Sequence, residues 1–251
     1  MNELVRGIGT AILATSVLLP FGASAAEKSK VPGTFSANVG LVSEYYFRGI
    51  SQNDDTPALQ GSFDYEISLA KPVMAYVGVW GSNVDFNEGT GVDGASIEIN
   101  YYGCLKGNIG DSGVGWDVGF IYYSYPGAAR NLSYDFIEAQ AALSYDFGVA
   151  AETASVNWSL ENLGDRGKST YPKLTVDVPV SKTGPTLSSY VARQNIEKNA
   201  TFGSPDYTKY NLSVGYNLVG FDLYLAYSDT SISPSGDGNE EAALFSVSRS
   251  L

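Results

Sequence analysis

The chain has 251 residues, with 15 Lys+Arg against 27 Asp+Glu, no His and one Cys, for a net charge of −12. The missing His closes Ser-His-Asp and Cys-His catalysis, His-rich zinc sites and any histidine pH switch, and a single Cys excludes an internal disulfide, a zinc ribbon and a CxxC redox pair. The acidic balance argues against nucleic acid as a partner, and the mean hydropathy of −0.07 is that of a soluble protein.

Residues 1–25 read as an address. Arg6 gives a weakly basic start, Ile8 to Phe21 is almost unbroken apolar sequence, and Ala23-Ser24-Ala25 is a small-x-small cleavage site. That order is a secretory signal peptide. The apolar core is too short for a spanning helix of about 20 residues, and no Cys follows it to carry a lipid. Residues 26–33 are expected to form a short periplasmic segment, and 34–251 a β-barrel.

From Thr34 onward the chain keeps one period. Phe35, Ala37, Val39, Leu41, Tyr45 and Phe47 share one parity, and Ser36, Asn38, Glu44 and Arg48 share the other. Side chains on a strand alternate between faces, so one face is apolar and the other mostly polar. Leu59 to Leu69 repeats the alternation against Gln60, Asp64 and Glu66. It returns around 97–101, 116–122, 154–160, 173–178, 209–217 and 221–228. The segments 73–86, with Tyr76 and Trp80, and 186–194 are less clear. The total is about twelve strands, mostly near ten residues long.

The connectors alternate as well. Lys71-Pro72, Gly148, Ser181 to Gly184 and Val219-Gly220 are short turns. Polar links at 49–56, 87–94, 126–133, 161–171, 195–206 and 231–239 are longer and rich in turn chemistry. The link at 106–113 is too long for its class. Short turns at one end and long loops at the other describe an all-β, antiparallel, up-and-down transmembrane barrel.

Alternation alone also fits a soluble sandwich or a lipocalin-like barrel, where the apolar face points inward. Three features favour the membrane barrel. The strands exceed the usual five or six residues of a sandwich. Tyr45, Tyr101, Tyr122, Tyr145, Tyr216 and Tyr227 sit near segment ends, as an interfacial aromatic girdle requires. The chain ends on a strand with Ala243, Phe245, Val247 and Leu251 on one face. Arg249 shares that outward parity and is expected to snorkel toward headgroups.

Residues 42–52 read Val-Ser-Glu-Tyr-Tyr-Phe-Arg-Gly-Ile-Ser-Gln, followed by Pro57-Ala58-Leu59-Gln60-Gly61-Ser62-Phe63-Asp64-Tyr65. This block resembles the TorF family of porin-like proteins, also catalogued as the Gcw_chp family of bacterial proteins. The block is quite specific; the likeness through Val73–Phe86, Ile97–Tyr101 and the Phe245–Leu251 ending is generic to barrels. The resemblance implies an outer-membrane barrel that acts as a channel.

With apolar faces on lipid, the opposite parity lines the interior. It carries Glu44, Asp64, Glu66, Glu98, Asp117, Glu138, Asp177 and Asp222 against Arg48, Lys173 and Lys209. An acidic lumen prefers cations, unless the charges form salt-bridged networks in a plugged barrel. Glu44 and Arg48 are placed on the first strand, paired with Asp64 or Glu66 either as a constriction or as register-fixing contacts. Arg48-Gly49 also fits a strand-to-loop hinge with Gly49 at positive φ. Cys104 reads as a small lumen residue.

The expected function is passive passage of small ions and solutes; the alternative is a structural or surface-binding barrel without transport. Absent His argues against an enzyme. No cofactor is expected. The acidic pairs Asp54-Asp55 and Asp237 to Glu241 do not match a calcium loop, so no metal is expected. Expected partners are outer-membrane lipid, the barrel insertion machinery acting on the C-terminal strand, and small solutes or cations. The oligomeric state stays open.

Overall fold

A computed structural model describes residues 31–86, 94–199, 205–233 and 241–251. The proposed leader, and most of the segment 26–33, fall outside that range. Among the described residues are fourteen strands: β1 (Thr34–Val42), β2 (Tyr46–Phe47), β3 (Ile50–Ser51), β4 (Ala58–Ala70), β5 (Val73–Asn83), β6 (Ile97–Asn108) and β7 (Val114–Ser124). They continue with β8 (Phe136–Asp146), β9 (Ala151–Ser159), β10 (Ser169–Pro179), β11 (Thr186–Ile196), β12 (Tyr207–Leu218), β13 (Phe221–Thr230) and β14 (Ala242–Ser250). No helix among these residues is long and apolar enough to cross a membrane.

Twelve strands close one antiparallel barrel, and only β2 and β3 stand outside it as a two-stranded ribbon. Each wall strand pairs with its sequence neighbour in the wall, and β1 closes the ring against β14. Sequential hairpins make this the simplest closed topology, and closure removes the exposed strand edge that lipid cannot satisfy.

The exterior is apolar. Leu59, Phe63, Leu105, Phe120, Ile137, Leu143, Leu212, Leu225 and Phe245 all point outward, Phe63 with 53% of its surface free. A belt of that kind is the reverse of a soluble barrel and is what lipid-facing strands require. The strands are nine to thirteen residues long, enough to span hydrocarbon when tilted. The near-zero hydropathy is therefore an average over the two faces of the same strands.

Three expectations about boundaries change. The first wall strand ends at Val42 rather than Arg48, because the chain leaves the wall at Ser43. The overlong link at 106–113 shrinks to 109–113, since β6 runs on to Asn108. The ambiguous segments become β5 and β11, and β5 carries bulk on both faces because Tyr76 and Trp80 point inward and are buried.

The short turns follow local chemistry. Val219 (φ 53) and Gly220 (φ 82) form the two-residue link between β12 and β13; positive φ at both positions is the signature of a type I′ turn, which matches strand twist. The seam is less complete than the other joints. β1 pairs with β14 only from Asn38–Ser250 to Val42–Ser246. Above it, Ser43 is tied to Phe245 in both directions, by its backbone N–H at 2.7 Å and its hydroxyl at 2.9 Å.

Candidate functional site: the lumen and its inward hairpin

The loop 43–57 does not stay at the rim. It folds into the lumen as the β2–β3 hairpin, with Tyr46 opposite Ser51 and Phe47 opposite Ile50. Arg48 (φ 55) and Gly49 (φ 91) form its tip, again a type I′ geometry. A non-glycine residue in the left-handed region is uncommon and is held there by its surroundings. Here the surroundings are Asn53, fully buried, whose side chain accepts the Tyr45 N–H at 2.8 Å, and the Gln52 N–H donating to the Tyr45 carbonyl at 2.8 Å.

Arg48 crosses the barrel to reach distant strands. Its guanidinium donates to Glu138 on β8 at 2.6 Å and to Gln194 on β11 at 2.9 Å, and it lies 4.3 Å from the ring centre of Tyr171 on β10. The Arg48 carbonyl accepts the Tyr207 hydroxyl of β12 at 3.1 Å. Both Arg48 and Glu138 are out of solvent, so removing either partner would leave a buried charge, at a cost of about 3–5 kcal/mol.

The hairpin flank packs on β5 to β8. Tyr45 meets Trp80 edge-on at 5.4 Å and donates to Glu98 at 3.4 Å; Phe47 meets Tyr123 at 5.6 Å. With Tyr76, Tyr102, Ile121, Tyr125 and Phe136 they form an apolar cluster inside the barrel. In the loop itself, burial raises the Glu44 carboxyl above the usual carboxylate range; Asp55 adds to the rise and the Ser51 hydroxyl opposes it.

Two sequence expectations are corrected by this loop. Tyr45 is not in an interfacial girdle: it is 2% exposed and faces the lumen. Glu44 and Arg48 are not wall residues of the first strand. Glu44 accepts bonds from Ser51 and Asp55 within its own loop, and Arg48 pairs with Glu138 rather than with Asp64 or Glu66. The hinge expectation for Arg48-Gly49 becomes a hairpin tip, with Gly49 at positive φ.

The structure places the other expected residues as follows. Tyr101, Tyr122, Tyr145, Tyr216 and Tyr227 point outward and are exposed; Tyr101, Tyr122 and Tyr227 lie toward the long-loop end, Tyr145 and Tyr216 toward the short-turn end. Asp64 accepts the Ser62 hydroxyl at 2.9 Å and also the Tyr102 hydroxyl. Glu66 pairs with Lys106, a basic residue the sequence reading left in a link. Glu98 is wholly buried and accepts from Asn100 at 2.7 Å. Asp117 accepts from Tyr76 at 2.9 Å. Asp177 takes the Ser188 hydroxyl, and Asp222 takes Asn217 at 2.7 Å. Lys173 lies 5.5 Å from the Tyr190 ring centre, and Lys209 donates to Ser228. Cys104 is buried and free. Arg249 is exposed, 5.1 Å from the Phe221 ring centre.

Sequence reasoning missed the inward tyrosines: Tyr102, Tyr123, Tyr171, Tyr190 and Tyr207. Their signal was present, because each occupies the polar parity of its strand. Among the described residues no group of three or more acidic or Cys side chains could hold a metal ion; residues 237–240 of the second acidic run lie outside them.

Opposite the packed side, space remains. A small cavity of about 50 Å³ lies between the hairpin and the inner faces of β13, β14, β1 and β4. Asn38, Gln60, Ser246 and Ser248 from the wall line it together with Glu44, Tyr45 and Tyr46 of the loop, and apolar side chains such as Val42 and Leu244 complete the lining.

A closed twelve-stranded barrel with lipid-facing apolar residues, a polar lumen and an inward loop has the fold of an outer-membrane channel. Two solved structures share it. The COG4313 outer membrane channel from Pseudomonas putida F1 superposes with a TM-score of 0.52 at 10% identity, over 92% of this chain and 100% of that one. A KdgM porin gives 0.52 at 7% identity, over 86% and 98%. No curated protein matches by sequence. Residues 25–249 match the model of a family described as "Bacterial protein of unknown function (Gcw_chp)", and the chain belongs to that family.

Proposed function

We propose that this protein is a passive outer-membrane channel for small ions and solutes, narrowed by the hairpin of loop 43–57. The supporting observation is the closed barrel, apolar outside and with charged and polar side chains inside, in which a small cavity remains between the hairpin and the inner faces of β13, β14, β1 and β4. A polar interior inside an apolar belt suits diffusion across lipid. The reading assigns no catalysis to the barrel. It makes outer-membrane lipid the surrounding medium and the C-terminal strand the element handled by insertion machinery.

The finer part of the proposal is a mild preference for cations. Arg48 and Lys106 are neutralised by Glu138 and Glu66. Asp64, Glu98, Asp117, Asp177 and Asp222 accept hydrogen bonds only from neutral donors, and they outnumber the two lysines Lys173 and Lys209. An acid excess inside a narrow lumen raises local cation concentration.

The test is single-channel recording in planar bilayers. Step conductances, lowered by Ser246→Trp in the cavity wall, are expected. Folded protein that gives no steps and no liposome swelling would favour a second reading, a structural or surface-binding barrel. The apolar cluster between the hairpin and β5–β8 supports that alternative, because it seals that side.

A further inference from the structure

The inner wall of β10 to β13 carries an arrangement that the channel reading does not use. Register places Lys173 opposite Ala192, and Ala192 opposite Lys209. The two lysines therefore occupy one level of the lumen, two strand spacings or about 10 Å apart at the backbone, with a small side chain between them. The next inward level toward the short-turn end holds Tyr190, Asn211 and Ser228 side by side. Both ammonium groups lean onto that level: Lys173 over the Tyr190 ring, Lys209 onto the Ser228 hydroxyl.

Neither lysine forms an ion pair among the described residues, and Asp177 and Asp229 attract Lys173 and Lys209 only from longer range. The ion pairs found there belong to Arg48, Lys106 and Lys198. The acids nearest in sequence and register are otherwise engaged, Asp177 by Ser188 and Asp229 by the Thr230 N–H at 2.7 Å. Two further buried polar atoms lack a partner on the levels flanking the lysines: the Tyr171 hydroxyl on the long-loop side and the Asn211 side-chain oxygen on the short-turn side. Tyr171 is 3% exposed and Asn211 9%. Tyr171 also packs with Tyr190 and Ala192 in a cluster of its own.

Buried polar groups are normally satisfied, and buried charges are normally paired. Here two cations, a hydroxyl donor and a carbonyl acceptor are left incomplete around one small residue. We propose that they form a subsite for a small hydroxylated carboxylate. The carboxylate takes the two ammonium groups and the Tyr171 hydroxyl; a hydroxyl of the same solute donates to Asn211; its carbon skeleton lies on the Tyr190 face. A lone inorganic anion leaves Asn211 unanswered, and a neutral polyol leaves the lysines unanswered.

This subsite rests on the channel reading and deepens it, so the test measures both separately. Gluconate is the probe, with propionate and sorbitol as controls. Gluconate is expected to interrupt the KCl current in a concentration-dependent way. Propionate blocks more weakly, and sorbitol does not block. Lys173→Gln and Lys209→Gln are each expected to weaken the block about tenfold or more, as for loss of a charged hydrogen bond. Lys182→Gln, in a short turn, leaves it unchanged. Heat-modifiable migration on gels verifies that each variant is folded.

Calorimetric titration of gluconate into detergent-folded protein gives the same ranking without needing a current. Binding without conductance would sink the channel reading and keep the subsite. Conductance without gluconate binding, block by sorbitol equal to that by gluconate, or block indifferent to both lysine variants would overturn the subsite.

Discussion

The two sides of the lumen are built from the same alternating strands, yet they do different things. On β5 to β8 the inward positions are large and aromatic, and the hairpin lies against them; buried acids there are tied to Arg48, Tyr45 and Tyr76. On β13, β14, β1 and β4 inward positions such as Asn38, Gly40, Gln60, Ser246 and Ser248 are smaller, and a cavity remains between them and the loop. A barrel of this size has an interior between a packed core and an aqueous channel. The contrast shows how side-chain volume on one parity, rather than strand number alone, decides which parts of such a lumen become core.

The sharpest way to break the contrast is to remove the hairpin. Val42 and Ala58 are direct partners across β1 and β4, so replacing 43–57 by Asn-Gly closes a two-residue turn. The variant is expected to conduct severalfold more than the parent in planar bilayers; unchanged conductance would mean that the hairpin does not narrow the path.

Next comes the anchor. Arg48→Ala and Glu138→Ala should each lower stability in urea titrations by about 3–5 kcal/mol, with strong coupling in the double variant. The partly exposed Glu66–Lys106 pair, by contrast, should cost under about 1 kcal/mol. Equal losses at both pairs would mean that the hairpin anchor is no more shielded from solvent than a pair between wall strands.

Selectivity gives a smaller effect. Asp64→Asn is expected to reduce the cation-over-anion reversal potential more than Glu66→Gln, because Lys106 already compensates Glu66. The opposite order would place the acid excess elsewhere.

The smallest effect compares two glycines at similar φ. A Cβ at Gly49 would sit 2.5 Å from Thr230 and 2.8 Å from Lys209, whereas one at Gly220 meets nothing within 4 Å. Gly220→Ala should cost about 1–2 kcal/mol from its left-handed backbone alone. Gly49→Ala should exceed that and also raise conductance.

The wall was visible in the sequence because its signal is local. A two-residue period over ten residues needs no knowledge of the partner strand, and turn residues mark where each stretch stops. The hairpin was invisible for the same reason. Tyr45 and Phe47 continue the outward parity of β1, and no Gly or Pro marks the departure at Ser43, so the period ran on to Arg48. What turns these rings inward is an aromatic cluster contributed by residues such as Trp80 and Tyr123, far along the chain. The acidic lumen was legible as a set, but its pairings were not: Arg48 finds Glu138 only after the ring is closed. Lys106 was lost with the boundary of β6.

The separation between the hairpin and its holders has a consequence for assembly. Arg48 leaves the ribosome early, but Glu138, Gln194 and Tyr207 follow 90, 146 and 159 residues later, and β1 finds β14 only when the chain is complete. No partial ring offers the tip all of its partners. Docking of the first loop is therefore a late event that reports on the whole wall, and a barrel stalled before its last hairpins would hold that loop loose. Protease sensitivity at the Arg48 tip would then distinguish finished barrels from unfinished ones.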